Sequence, residues 1–222
     1  MPGPRGETAA ADALAYAALG AGWYGVLRTG SPAAAFAFFL ASRTAYVVFA
    51  GFSLRAQDES GWWTRRWGPE EGFRRFKRAV SLFMNNDGAS IALVCWMSRG
   101  TLGTDLPDGA LAALGAVLIL LGSCMKAWAV ATLGKGSYHW ESFFIPRGEA
   151  RYVVAGPYRW FANPMYTVGY AHAYGIALCL RSVPGLIAAL VAQSLMLLFN
   201  HWAERPHTER MRAPSAGPEA AE

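Results

Sequence analysis

Six stretches of the chain are dominated by apolar residues, at approximately 9–27, 33–54, 79–98, 109–131, 164–181 and 184–202. About 20 residues of helix cross a hydrocarbon core, and these stretches meet or approach that length. The first is mostly Ala and Gly and reads either as a span or as a helix lying at the interface. The last two are joined by Arg181-Ser182-Val183-Pro184, which predicts a tight helical hairpin. The pattern therefore predicts an all-α, polytopic membrane bundle of about six transmembrane helices, or five if the first is interfacial.

Composition narrows the class. Of 222 residues, 54% are hydrophobic and only 16% charged, against about 25% charged in an ordinary soluble domain. That excludes an intrinsically disordered chain. The three cysteines, Cys95, Cys124 and Cys179, each lie in an apolar run and read as small core hydrophobes, not as a disulfide framework. The net charge of +5 comes from basic residues flanking apolar runs. That is the pattern of a protein touching anionic lipid, and not of a nucleic-acid binder.

Charge also predicts orientation. The loop at 55–78 carries Arg55, Arg65, Arg66, Arg74, Arg75, Lys77 and Arg78, with Trp62, Trp63 and Trp67 as an interfacial belt. The excess of basic residues assigns this loop to the cytoplasm. Counting spans then puts residues 135–159, and everything after Trp202, on the same side. Residues 213–222, rich in Pro, Ala, Gly and Glu, predict a disordered tail.

Three places depart from the plain anchor pattern. Asn85-Asn86-Asp87 interrupts the third span, predicting either a cavity wall or an interhelical hydrogen-bond cluster. Leu133-Gly134-Lys135-Gly136-Ser137-Tyr138-His139-Trp140-Glu141 pairs two glycines with titratable and aromatic side chains. It reads either as a helix end or as a loop whose backbone approaches a ligand. Gly156-Pro157-Tyr158-Arg159 leads into Asn163-Pro164-Met165-Tyr166, where Asn163 suits an N-cap and Pro164 a first helical turn. Tyr166, Tyr170 and Tyr174 would share one face of the helix that follows. The hairpin then returns Glu204 to the neighbourhood of Asn163.

These residues carry a resemblance. Asn163-Pro164-Met165-Tyr166-Thr167-Val168-Gly169-Tyr170, with Tyr174-Gly175-Ile176-Ala177-Leu178 and the later Glu204-Arg205-Pro206-His207, resembles the phosphatidylethanolamine N-methyltransferases, above all the larger fungal form. Gly134-Lys135-Gly136 is similar to the glycine motif of that family. More distantly, Gly156-Pro157-Tyr158-Arg159 with Pro164 and Tyr166 is similar to the isoprenylcysteine carboxyl methyltransferases. Two departures stand out. The paired acids of the family become Glu204-Arg205, and the Arg-His of the isoprenylcysteine enzymes becomes Ala162-Asn163.

The resemblance implies a single membrane-embedded methyltransferase domain over 1–212, with its site at the cytoplasmic interface. The cofactor would be S-adenosyl-L-methionine and the acceptor the amine headgroup of phosphatidylethanolamine in the bilayer, including its partly methylated forms. Gly134, Gly136, Gly156, Pro157, Tyr158, Asn163, Glu204 and Arg205 would hold the cofactor. Asn163 and Tyr166 would orient the reacting groups. His139, Glu141 and Asp87 are unranked candidates for the base that takes the proton of the amine. Lys135, Arg147 and Arg159 are candidates for the lipid phosphate. A methyltransferase for another amphiphile, such as a prenylcysteine carboxylate, and a membrane reductase of related layout are the competing readings. A transporter is disfavoured because no inverted repeat is found.

Overall fold

The computed structural model describes residues 4–134, 137–145 and 155–212, with side chains from residue 13 onward except at Asp108, Ser137 and Arg212. The expected disordered tail at 213–222, together with Lys135, Gly136 and Arg147, lies outside the described residues. The described residues are helical, with no strand among them: α1 Pro4–Thr29, α2 Pro32–Ser60, α3 Trp62–Trp67, α4 Pro69–Met97, α5 Asp108–Leu133, α6 Ala171–Cys179, α7 Val183–Phe199 and α8 Arg205–Arg212.

The starts and stops follow local chemistry. Ser31 caps α2, its side chain accepting from the Ala34 amide at 3.4 Å, and Pro32 fills the first turn. Ser182 caps α7 in the same way, accepting from the Gly185 amide at 2.8 Å. Helix α4 opens with Pro69 and with Glu70 and Glu71 in its first turn, where negative charge meets the positive end of the helix.

Three helical stretches are long and apolar enough to cross a membrane: Pro32–Ser60, Gly109–Leu133 and Val183–Met211. The other expected spans are of a different kind. Helix α4 has 29 residues, but six charged side chains crowd its first ten positions, so only its second half is apolar. The expected helix at 164–181 is broken. Residues 164–167 are turns, Val168–Tyr170 is a single 3-10 turn, and only the nine residues of α6 are α-helical.

The break is supported from the side. Gln193 of α7 donates to the Tyr166 and Thr167 carbonyls at 3.1 and 3.2 Å, and accepts from the Tyr174 hydroxyl at 2.7 Å. Irregular backbone at this depth persists only when neighbouring protein satisfies it. Tyr166 and Tyr170 consequently turn toward one cavity, whereas Tyr174 is engaged by Gln193.

Helices α5 and α6 pack with backbones nearly touching. A Cβ at Gly122 would lie 2.4 Å from the His172 amide, and one at Gly175 would lie 2.5 Å from the Gly115 carbonyl. Small residues at such crossings allow the dispersion contacts that hold helices together in lipid.

The two ends of the bundle are distinct. At one, Gln57 donates to the Phe143 carbonyl at 3.1 Å, Ser81 and His139 lie 3.0 Å apart, and Phe73 packs on Phe144. The basic region at 55–78 and the segment at 137–145 therefore share an end. At the other end the Gly100 amide donates to the Leu180 carbonyl at 3.0 Å, and the Ser98 and Ser182 hydroxyls meet at 2.6 Å.

Candidate active site

A cavity of about 240 Å³ opens between α2, α4, α5, α6, α7 and the segment at 137–145. Its walls include Arg43, Asp87, Lys126, Tyr138, Trp140, Tyr166, Tyr170 and His172.

At one wall is a buried ion pair. Arg43 is 1% exposed in the middle of α2. Its Nη1 donates to Asp87 Oδ2 at 2.5 Å, and its Nη2 donates to the Tyr170 hydroxyl at 2.5 Å and to the Ala192 carbonyl. Four elements meet at this one guanidinium. The second carboxylate oxygen of Asp87, Oδ1, is buried and has no hydrogen-bond partner among the described residues. The polar run at 85–87 thus divides its labour. Asp87 lines the cavity, while Asn86 makes interhelical bonds, donating to Ser42 Oγ at 2.8 Å and accepting from Trp23 Nε1 at 2.8 Å. Asn85 is exposed.

The second polar cluster centres on Glu204. Its Oε1 accepts from the Tyr166 hydroxyl at 2.6 Å and from Trp140 Nε1, and its Oε2 accepts from Asn200 Nδ2 at 2.6 Å. A single π-helical turn, Asn200–Glu204, separates α7 from α8. Such one-turn bulges shift the register of the side chains that follow and recur at functional sites. The turn divides the 204–207 motif. Glu204 reaches the network, exposed Arg205 pairs with Glu209 at 2.7 Å, and His207 Nδ1 meets Asp58 Oδ1 at 2.8 Å while stacking on Phe143.

Trp140 has φ +57°, a left-handed conformation rare for a bulky residue. Backbone strain of this kind persists where the surroundings over-determine it. Here the indole packs between Phe76 and Phe199 while its N–H is held by Glu204.

Asn163 and Glu204 are linked through Tyr166, not by direct contact. The Asn163 side chain accepts from the Tyr166 amide at 3.2 Å, and the far end of the same tyrosine donates to Glu204. Asn163 therefore caps the turn at 163–167, and not a helix.

The remaining expected residues sit away from the cavity wall. His139 faces Ser81. Burial, then the nearby Lys77 charge, hold its imidazole below the usual histidine range. Glu141 accepts with its backbone carbonyl from the Phe144 amide at 3.0 Å and does not line the cavity. Gly134 ends α5 with φ +87°, its amide donating to the Val130 carbonyl at 2.9 Å. Gly156 has φ +54°, and a Cβ there would lie 2.3 Å from Thr132 Oγ1. It brings the segment at 156–159 hard against α5. Pro157 is buried and Tyr158 half-buried, neither on the cavity wall, and Arg159 is exposed. Arg43 and Lys126 were not among the expected site residues. Each is a lone cation inside an apolar run, the ordinary mark of a functional residue in a membrane.

Comparison with known proteins bears on this arrangement. Residues 110–213 match the family described as phospholipid methyltransferase. The matched stretch includes the motifs at 156–159, 163–178 and 204–207 and supplies Lys126, Tyr138, Trp140, Tyr166, Tyr170 and Glu204. The chain is 32% identical over 102 residues to phosphatidylethanolamine N-methyltransferase of Candida tropicalis, covering 46% of this chain and 12% of that protein. It is 34% identical over 103 residues to the protein of that name from Meyerozyma guilliermondii, again 46% and 12%. For Lodderomyces elongisporus the figures are 27% over 145 residues, 63% of this chain and 16% of the relative. The chain thus spans only a small part of the length of these curated relatives. No solved structure matches it.

Proposed function

We propose that the protein transfers a methyl group from S-adenosylmethionine to the amine headgroup of phosphatidylethanolamine or its partly methylated forms. One observation carries this reading: the stretch matching the phospholipid methyltransferases is also the stretch that builds most of the cavity and the Glu204 network.

The residues fit the donor. The cavity is lined by the rings of Tyr138, Trp140, Tyr166 and Tyr170, whose faces attract a cation. Glu204 adds a carboxylate beside two of those rings, suited to an ammonium. S-adenosylmethionine supplies a methyl group carried on a positively charged sulfonium sulfur. A space of about 240 Å³ is below the roughly 300 Å³ of small-molecule pockets. It encloses the reacting ends of two molecules, the remainder of each lying outside.

Of the candidate bases, Asp87 lines this cavity, and His139 and Glu141 do not. The Asp87 carboxylate takes a proton from the acceptor ammonium and frees the nitrogen lone pair for in-line attack. Tyr166, fixed at both ends by Asn163 and Glu204, positions the acceptor, and positioning supplies much of the catalysis. The site would face the cytoplasm, because the end carrying the basic region at 55–78 also carries the segment at 137–145. Labelling of introduced cysteines in both segments from the cytoplasmic side tests that, and labelling from opposite sides would contradict it.

Expression in a host lacking phosphatidylcholine tests the function. Methylated phosphatidylethanolamines in the lipid extract support it. Their absence from cells holding folded protein contradicts it.

A further inference from the structure

Lys126 poses a problem that the methyl-transfer chemistry leaves open. It sits in α5, a helix apolar enough to span a membrane, seven residues before the helix ends at Leu133. It pairs with no carboxylate among the described residues. Its Nζ lies 5.1 Å from the centre of the Tyr170 ring and 3.5 Å from His172 Nε2. The His172 Nδ1–H donates to the Gly169 carbonyl at 2.6 Å, so Nε2 is the acceptor nitrogen and offers the ammonium a neutral partner. Arg43 directs its two terminal nitrogens to Asp87, Tyr170 and Ala192 and its charge to Asp87. One positive charge at the cavity wall has no ion-pair contact among the described residues, Asp87 acting on it only from a distance, in surroundings where such a charge is costly.

The position is built and not incidental. Gly169 lies against the Lys126 stem, where a Cβ would come within 3.0 Å of Cγ. On another helix, α4, Asp87 lines the same cavity, and its buried Oδ1 has no hydrogen-bond partner among the described residues. The cavity therefore presents one unmatched cation and one unmatched acceptor on different walls.

We infer that Lys126 holds the phosphate of a zwitterionic phospholipid headgroup while Asp87 receives its ammonium. This rests on the proposed function and names how that site selects its acceptor. It transfers the phosphate role from Lys135, Arg147 and Arg159 to a residue inside the bundle. A headgroup bound this way places its amine, and no other part, beside the candidate base. The amino-acid end of S-adenosylmethionine has the same pair of charges, so the test separates the two ligands.

The purified chain in detergent, without S-adenosylmethionine, is titrated with short-chain phosphatidylethanolamine, phosphatidic acid and diacylglycerol, reading Trp fluorescence. Binding of the first two, and not of diacylglycerol, is expected. Lys126→Gln should weaken both phosphate-bearing lipids about tenfold, the loss of one charge-assisted contact. Asp87→Asn should weaken phosphatidylethanolamine and spare phosphatidic acid. The Lys126→Gln result stands alone if Asp87→Asn fails to fold. Lys126→Gln binding both lipids as the parent does, or losing S-adenosylmethionine affinity instead, overturns the inference. Lys126-dependent lipid binding without methyl transfer from labelled donor would leave the headgroup site standing and remove the methyltransferase reading. Methyl transfer with Lys126-independent binding would do the reverse.

Discussion

The Tyr166 hydroxyl donates to Glu204 Oε1 at 2.6 Å across 38 positions of sequence. That single bond joins the irregular segment before α6 to the π turn after α7, and it holds Tyr166, which lines the cavity. Both partners are polar groups in a membrane bundle. Each would be expensive to leave unmatched, so the bond fixes geometry as well as contributing stability.

Removing the hydroxyl is the smallest change of shape. Tyr166→Phe keeps the ring but removes a bond to a carboxylate, and should cost about 1.5–3 kcal/mol of stability, with methylation of phosphatidylethanolamine reduced. Asn163→Ala removes the cap on the Tyr166 amide and should cost about 1 kcal/mol. Thermal unfolding and activity of the folded fraction are measured together. If both variants fold and keep full activity, the segment is a turn and nothing more.

Glu204→Gln is a sharper test. The amide keeps the shape but replaces an acceptor oxygen by a donor and removes the charge. Hydrogen bonds to charged groups contribute about 1.5–3 kcal/mol, so S-adenosylmethionine affinity should fall at least about tenfold. Some thermal stability should be lost too, because Glu204 is locked by Trp140, Tyr166 and Asn200, and is not a solvated helix-end charge. Calorimetric titration showing unchanged affinity removes Glu204 from the donor site.

The Arg43–Asp87 pair predicts strong coupling. Arg43→Met or Asp87→Leu alone strands a buried charge and should cost about 3–5 kcal/mol. The double variant should cost less than the sum. Denaturation in detergent measures all three. Additive losses would mean that the two groups do not depend on each other.

His139 gives a pH dependence with a defined sign. Its folded-state affinity for a proton is lowered by burial and then by Lys77. The unfolded chain therefore takes up the proton first as pH falls. Above the ordinary histidine value of about 6.5 the group contributes nothing to the pH slope, and below it stability is lost. The thermal midpoint should drop as pH falls through and below about 6.5, and His139→Gln should flatten part of that drop. An unchanged slope in the variant would assign it to other groups.

The elements of the site were unequally legible. Asn163, Tyr166 and Glu204 are marked in sequence by local pattern, since capping and a hairpin are short-range devices. That the basic region at 55–78 and the segment at 137–145 share an end is legible too, as counting spans needs no tertiary detail. The break before α6 is not, because it depends on Gln193 of α7 arriving to satisfy two carbonyls. The left-handed Trp140 and the π turn before α8 have no local signature either, both being imposed by packing around Glu204. Arg43 and Lys126 were legible in principle as charges within apolar runs. Their importance became visible only when the fold set Arg43 against Asp87 and left Lys126 with no ion-pair contact among the described residues.

The most direct measurement is methyl transfer by the purified chain itself. The protein is reconstituted in vesicles containing phosphatidylethanolamine and supplied with methyl-labelled S-adenosylmethionine from the face carrying residues 55–78. Label entering the lipid fraction as methylated phosphatidylethanolamine, and falling with Glu204→Gln, is the predicted result. Folded protein that binds neither substrate, or that leaves all label in the aqueous fraction, would contradict it.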